Sequence, residues 1–247
     1  MYASSHLPVT LEVCVDSLVA LHAAEKGGAD RIELCADLQS GGMTPSSGFM
    51  KAARKSTRLP IFAMVRPFPG DFIYGNQEKQ AILYDIHALK DLGADGIVGG
   101  ALTLHGEIDQ PFLDEMVAAA WPLPFTFHRA FDLVHNPEHA LQRLIEAGVK
   151  RLLTSGQAPN AVEGADLIAR LVKEAGDILS VMPGSGMTPE NIPLIIQKTG
   201  VREIHGSFRA PTSVKKTGNT LKGLGLPAML TTDTGQVSMA KKACTHP

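Results

Sequence analysis

The chain has 247 residues, 44% hydrophobic and 19% charged, with 23 Lys and Arg against 25 Asp and Glu for a net charge of −2. So even a balance offers no basic stripe to nucleic acid, and no apolar run approaches the ~18 residues of a membrane span. The N-terminal MYASSHLPVT lacks the charged and apolar regions of a secretory signal, and three cysteines cannot build a disulfide framework, so a cytoplasmic, reducing compartment is expected.

Short apolar runs alternate with helix-period segments along the chain. Strands are predicted at Thr10–Val15, Arg31–Cys35, Ile61–Arg66, Gly96–Ala101, Phe125–His128, Arg151–Thr154, Ile178–Met182 and Glu203–His205. Between them, helices are predicted at Ser17–Lys26, Ser46–Ser56, Gln77–Leu92, Pro111–Ala120, Pro137–Ala147, Ala161–Ala175 and Pro189–Lys198, with Asp233–Ala243 as a short eighth. Gly27-Gly28, Gly93, Gly148, Gly176 and Gly200 each follow a helical stretch, where a left-handed cap residue belongs. Thr188 before Pro189 reads as an N-cap followed by proline at the first helical position.

Eight βα units in about 250 residues close most economically into a single (β/α)8 TIM-barrel-like domain. An open doubly wound sheet is the competitor, but the G-x-G-x-x-G turn after the first strand is missing. The barrel core is expected over about residues 9–208, with 209–247 an irregular segment of long loop and short terminal helix. Within that segment, 211–231 reads either as a loop beside the barrel mouth or as a disordered tail.

Strand alternation separates two faces. Leu11, Val13 and Val15 share one face of the first strand, and Ile32 and Leu34 one face of the second. Those faces should meet the helices, which turns Glu12, Cys14, Glu33 and Cys35 into the barrel near its C-terminal rim. The same alternation groups Met64 with Arg66, Thr126 with His128, and Glu203 with His205. Buried charges are rare unless paired or used, and barrel active sites sit at this rim. Glu-x-Cys recurs on the first two strands, so two thiols could meet at one ion. Soft thiolates favour Cu(I) or Zn, with Met64 or Met182 as further soft contacts, while small buried cysteines also serve as plain apolar filler. Gly184-Ser185-Gly186 after the seventh strand, with Gly206-Ser207 after the eighth, offers backbone N–H groups to an anion or forms ordinary tight turns.

The segments LEVCVDS, GGADRIELCADL, GGMTPS, RPFPGDFIY, GALTLHGEID, FTFHRAFDL, RLLTSGQ, MPGSG and REIHGS, in this order from about Leu11 to Ser207, resemble the CutC copper homeostasis family. The resemblance implies a TIM-barrel-like fold, a cytoplasmic and in animals also nuclear protein, a homo-oligomer and a role in copper handling. For animal members it implies Cu(I) binding by the cysteines matching Cys14 and Cys35. The chain departs from the family where RPRGGDF is replaced by Arg66–Phe72 reading RPFPGDF, and where FGAL is replaced by Gly99–Leu102 reading GGAL.

Two functions follow as expectations. The first is copper homeostasis through Cu(I) held by Cys14 and Cys35. The second is a barrel enzyme for a small anionic or phosphorylated substrate. Its catalytic set would be Glu12, Glu33, Arg66, His128, Arg129, Asp132 and His205: Glu12 or Glu33 acting as base or as ligand of a divalent metal, His128 as acid or base, and Arg66 with Arg129 clamping the anion over Gly184, Ser185 and Gly186. Copper or a small anion, rather than nucleic acid or membrane, is the expected partner.

Overall fold

A computed structural model describes residues 9–211 and 230–245. Its elements alternate as the apolar pattern requires: β1 (Thr10–Val15), α1 (Leu18–Gly27), β2 (Arg31–Leu34), α2 (Ser47–Ser56), β3 (Ile61–Met64), α3 (Asn76–Asp91), β4 (Gly96–Gly99) and α4 (Gln110–Ala120). There follow β5 (Phe125–Phe127), α5 (Pro137–Glu146), β6 (Arg151–Thr154), α6 (Ala165–Ala175), β7 (Ser180–Pro183), α7 (Ile192–Thr199) and β8 (Glu203–Gly206). Then come β9 (Arg209–Pro211), β10 (Leu230–Thr232) and α8 (Thr234–Thr245). The eight core strands run parallel in the order β7-β6-β5-β4-β3-β2-β1-β8. β7 and β8 meet in contact without a hydrogen-bonded ladder, so the barrel is nearly closed.

The predicted sorting of faces holds. Leu11, Val13, Val15, Ile32 and Leu34 are completely buried against the helices, where each contributes about 1.5–3 kcal/mol of burial. Inside the barrel a smaller apolar group joins Cys35, Phe62, Met64 and Val98. The remaining interior is polar: the Arg31 guanidinium bridges Glu12 and Glu203, and Arg151 also binds Glu203, at 2.9 Å. Arg31 and Arg151 both lie over the Phe62 ring, at 4.9 and 4.8 Å.

Some boundaries differ from expectation. Four strands are shorter at their C-terminal ends than the apolar runs: Cys35, Arg66, Ala101 and His128 lie beyond their ladders, where the chain turns into the mouth loops. β7 starts at Ser180 rather than Ile178, a residue left exposed. α6 starts at Ala165 rather than Ala161 because the preceding residues form a turn tied to β6. There the Gly164 Cα packs so closely that a Cβ would stand 1.9 Å from the Ser155 carbonyl oxygen. Thr188 does not cap α7. Its N–H instead donates to the Asn191 side chain, and Pro189–Asn191 make a turn before the helix begins at Ile192.

The predicted loop over 211–231 is not wholly irregular. Pro211 pairs with Leu230 in the antiparallel β9–β10 ribbon, and the expected loop between them falls on 212–229, outside the described residues. α8 then packs on α1. Gly27 is required there, because a Cβ would lie 2.5 Å from Val237, and Lys241 reaches Asp30 at 2.6 Å.

Candidate functional site

A cavity of about 540 Å³ opens at the C-terminal ends of the strands, inside the range usual for small-molecule sites. Cys14, Glu33 and His205 form its floor, Arg66, His128 and Arg129 line its walls, and Ser185 and Gly186 contribute from the β7 loop. Parallel register explains the floor. Cys14 on β1 stands level with Glu33 on β2, and Glu12 stands level with both Arg31 and His205. The inward positions of three adjacent strands thus converge, and one ligand atom each of Cys14, Glu33 and His205 lies within 4.8 Å of the others.

Electrostatics at the floor are tightly linked. Burial would raise the Glu12 carboxyl, but Arg31 and a 2.8 Å hydrogen bond with His205 Nδ1 outweigh it and hold Glu12 down to about 2. Burial pushes Glu33 up, reinforced by Glu12 and opposed by His205. His205 is pulled well above its ordinary value despite burial, because Cys14, Glu33 and Glu12 surround it. Burial and the neighbouring Glu33, 3.4 Å from Sγ, raise Cys35 well above a free thiol. One oxygen of Glu33, Oε1, is buried with no hydrogen-bond partner among the described residues.

The walls behave differently. Arg66 is buried, yet its guanidinium meets carbonyls rather than carboxylates: Ser40 at 2.9 Å, Gly42 at 3.2 Å and Gly70 at 3.4 Å. His128 Nδ1 accepts the Ala130 N–H at 3.3 Å. Burial, with help from Arg66, depresses its pKa to about 3. The ring is therefore neutral near pH 7, with its proton on Nε2, which makes it a hydrogen-bond donor rather than a proton shuttle. Phe72, in the left-handed region at φ 66°, lies against both side chains, 4.7 Å from the His128 ring and 4.8 Å below the Arg66 guanidinium.

Other expected site residues stand back from the cavity. Glu12 is engaged below the floor with Arg31 and His205. Cys35 is covered by Gly42, whose Cβ would stand 3.2 Å from Sγ. Asp132 accepts from the Ser155 and Gln157 N–H groups and the Thr154 hydroxyl, so it ties the β6 loop together. Gly184 donates its N–H to Thr154 O and packs on Leu153, where a Cβ would come within 2.6 Å. Met182 lies beside Arg31, its Sδ 3.4 Å from the guanidinium. Arg31, Arg151 and Phe72 escaped the sequence reading. Arg31 shares the inward period of Glu33 and Cys35 and could have been found that way, whereas nothing in the local pattern marks Phe72.

Eight parallel strands around a polar, C-terminal cavity define a TIM-barrel-like protein whose chemistry belongs to its strand ends. The CutC family model matches residues 9–210, and the chain belongs to the CutC family. It is 47% identical over 204 residues to a CutC family protein of Photobacterium profundum, covering 83% of each chain. It is also 47% identical over 200 residues to the copper homeostasis protein cutC homolog of Homo sapiens, covering 81% of this chain and 73% of that one. The CutC crystal structure from Streptococcus agalactiae superposes with a TM-score of 0.77 at 32% identity, covering 81% of this chain and 98% of that one. Among the described residues no helix is long and apolar enough to cross a membrane.

Proposed function

We propose that the chain serves copper homeostasis by binding Cu(I) at the barrel floor. One observation carries the reading: a thiol, an imidazole and a carboxylate from Cys14, His205 and Glu33 converge within 4.8 Å, all buried. Thiolate and imidazole are the donors that suit Cu(I), and a converging set with a single carboxylate lacks the all-oxygen shell that Mg or Ca takes. Cys35 would supply the second thiol; it stands behind Glu33, in contact with that carboxylate and outside the converging group. The residues therefore fit the ion. Cys14 and Cys35 would hold it, His205 would complete the set, and Glu12 orients His205 through Nδ1. Copper would enter as cargo, displacing protons from the thiols.

Anaerobic Cu(I) titration against a competing chelator tests this. Wild type should bind about one ion per chain, and Cys14→Ser and Cys35→Ser should each weaken binding by about 100-fold or more. Equal, weak binding by all three proteins would overturn the proposal.

A second reading, a barrel enzyme for a small anionic substrate, is favoured by the charge of the walls. Arg66, Arg129 and Arg209 line the cavity above the acidic floor. The N–H groups of Ser185 and Gly186 are without backbone or side-chain acceptors among the described residues.

A further inference from the structure

Two buried donors in the cavity wall have nothing to donate to. The Nε–H of Arg66 and the Nε2–H of His128 are both without an acceptor among the described residues, in side chains more than nine-tenths buried that line the same cavity. Orphaned buried donors are uncommon, and each costs stability unless something supplies the missing partner. On the floor the opposite deficiency appears, since Glu33 Oε1 is an acceptor without a donor. The cavity between them holds about 540 Å³.

We infer that the cavity binds a small hydroxy-carboxylate, its carboxylate facing Arg66 and His128 and its hydroxyl reaching Glu33. A carboxylate offers only acceptors, and its two oxygens match the two orphaned N–H groups. A hydroxyl supplies the donor that Glu33 Oε1 lacks, whereas another carboxylate there would be repelled. Charge agrees with this placement, because among the described residues Arg66 is bound only to carbonyl oxygens and keeps its positive charge without a carboxylate partner. Phe72 acts as the cover. Its ring packs against both the Arg66 guanidinium and the His128 imidazole, and its backbone is held in the left-handed region, where a bulky side chain is strained. Such strain is commonly stored at ligand clamps, and release of the Phe72 ring exposes the two N–H groups together. The inference shares Glu33 with the copper proposal but is carried by the unpaired donors of Arg66 and His128. It gives the enzyme reading its class of ligand, and it stands as a binding site even where no turnover is found.

The test is NMR titration of the metal-free protein with glycolate, acetate, ethylene glycol and inorganic phosphate, following the His128 ring signals and the amides of cavity residues. Glycolate should shift the His128 Nε2 resonance saturably. Acetate should bind roughly tenfold more weakly, because the hydrogen bond to Glu33 is lost, and ethylene glycol should be silent. His128→Asn, which keeps the Nδ1 acceptor position, and Arg66→Lys, which keeps the charge but lacks a donor at Nε, should each weaken glycolate by about tenfold or more with the amide spectrum otherwise folded. Phosphate binding with glycolate silent would overturn the carboxylate assignment. No saturable response to either anion would overturn the site itself. Cys14→Ser, which removes a proposed copper ligand but none of the three glycolate contacts, should bind glycolate as wild type does and so separates this result from the fate of the copper proposal.

Discussion

Replacing His128 by Asn should make the protein more resistant to mild acid. Its imidazole is packed against Phe72, Phe127 and Gly100, and burial with the Arg66 charge lowers its pKa from 6.5 to about 3. A lowered native pKa means that the unfolded chain takes up the proton first. The contribution to stability is complete above about pH 6.5 and is lost as pH falls toward 3. Each unit within that window costs about 1.4 kcal/mol, so a change from about pH 7.5 to about pH 5 should remove about 2 kcal/mol, and the whole window about 5 kcal/mol. Against a total of roughly 5–15 kcal/mol for a domain, that is a large share. Asparagine can accept the Ala130 N–H that Nδ1 accepts now, so the variant keeps the local turn and loses the titration. Urea unfolding at the two pH values measures the effect, with the slope on denaturant checking that both proteins unfold to the same extent. Floor groups such as His205 titrate in both proteins and cancel in the comparison. Equal acid losses in wild type and variant would refute the reasoning.

Arg31→Met should cost about 3–5 kcal/mol at neutral pH, because Glu12 would be left buried without its guanidinium partner and the half-buried Glu203 would keep only Arg151. A urea midpoint indistinguishable from wild type would show that the network is not needed. Gly164→Ala should disrupt the β6 loop, since the new Cβ meets the Ser155 carbonyl at 1.9 Å; amide exchange at Ser155 and Gln157 should speed up, and unchanged protection would contradict the close approach. Val237→Ala in α8 should cost roughly 1–3 kcal/mol by opening the contact with Gly27, read as a lowered thermal midpoint, and a midpoint equal to wild type would show that α8 is not held by this contact.

Much of the barrel was legible because its outward faces are continuously apolar, as at Leu11, Val13 and Val15, while its inward positions alternate with them. Alternation alone therefore placed Cys14, Glu33 and His205 inside. Register was not legible. The repeated Glu-x-Cys suggests that the two cysteines stand side by side, but barrel stagger offsets the strands by two residues and sets Cys14 against Glu33. Asp132 shows another limit. An acid beside Arg129 reads as chemistry in sequence, yet the turn after β6 uses it to gather N–H groups. The pairing of Pro211 with Leu230 was hidden because two three-residue strands carry too little periodicity to register.

The floor draws its three converging side chains from β1, β2 and β8, so it joins Cys14 and Glu33 to His205, well over half the length of the chain away. The outer layer makes the same long-range junction through Asp30 and Lys241. Contacts so distant in sequence form late, after the loop-closure entropy of the whole barrel has been overcome. A nascent or partly unfolded chain accordingly has its cysteines but no assembled site. α8 takes part in both layers of that junction, since Gln236 in its first turn lines the cavity and Lys241 binds Asp30.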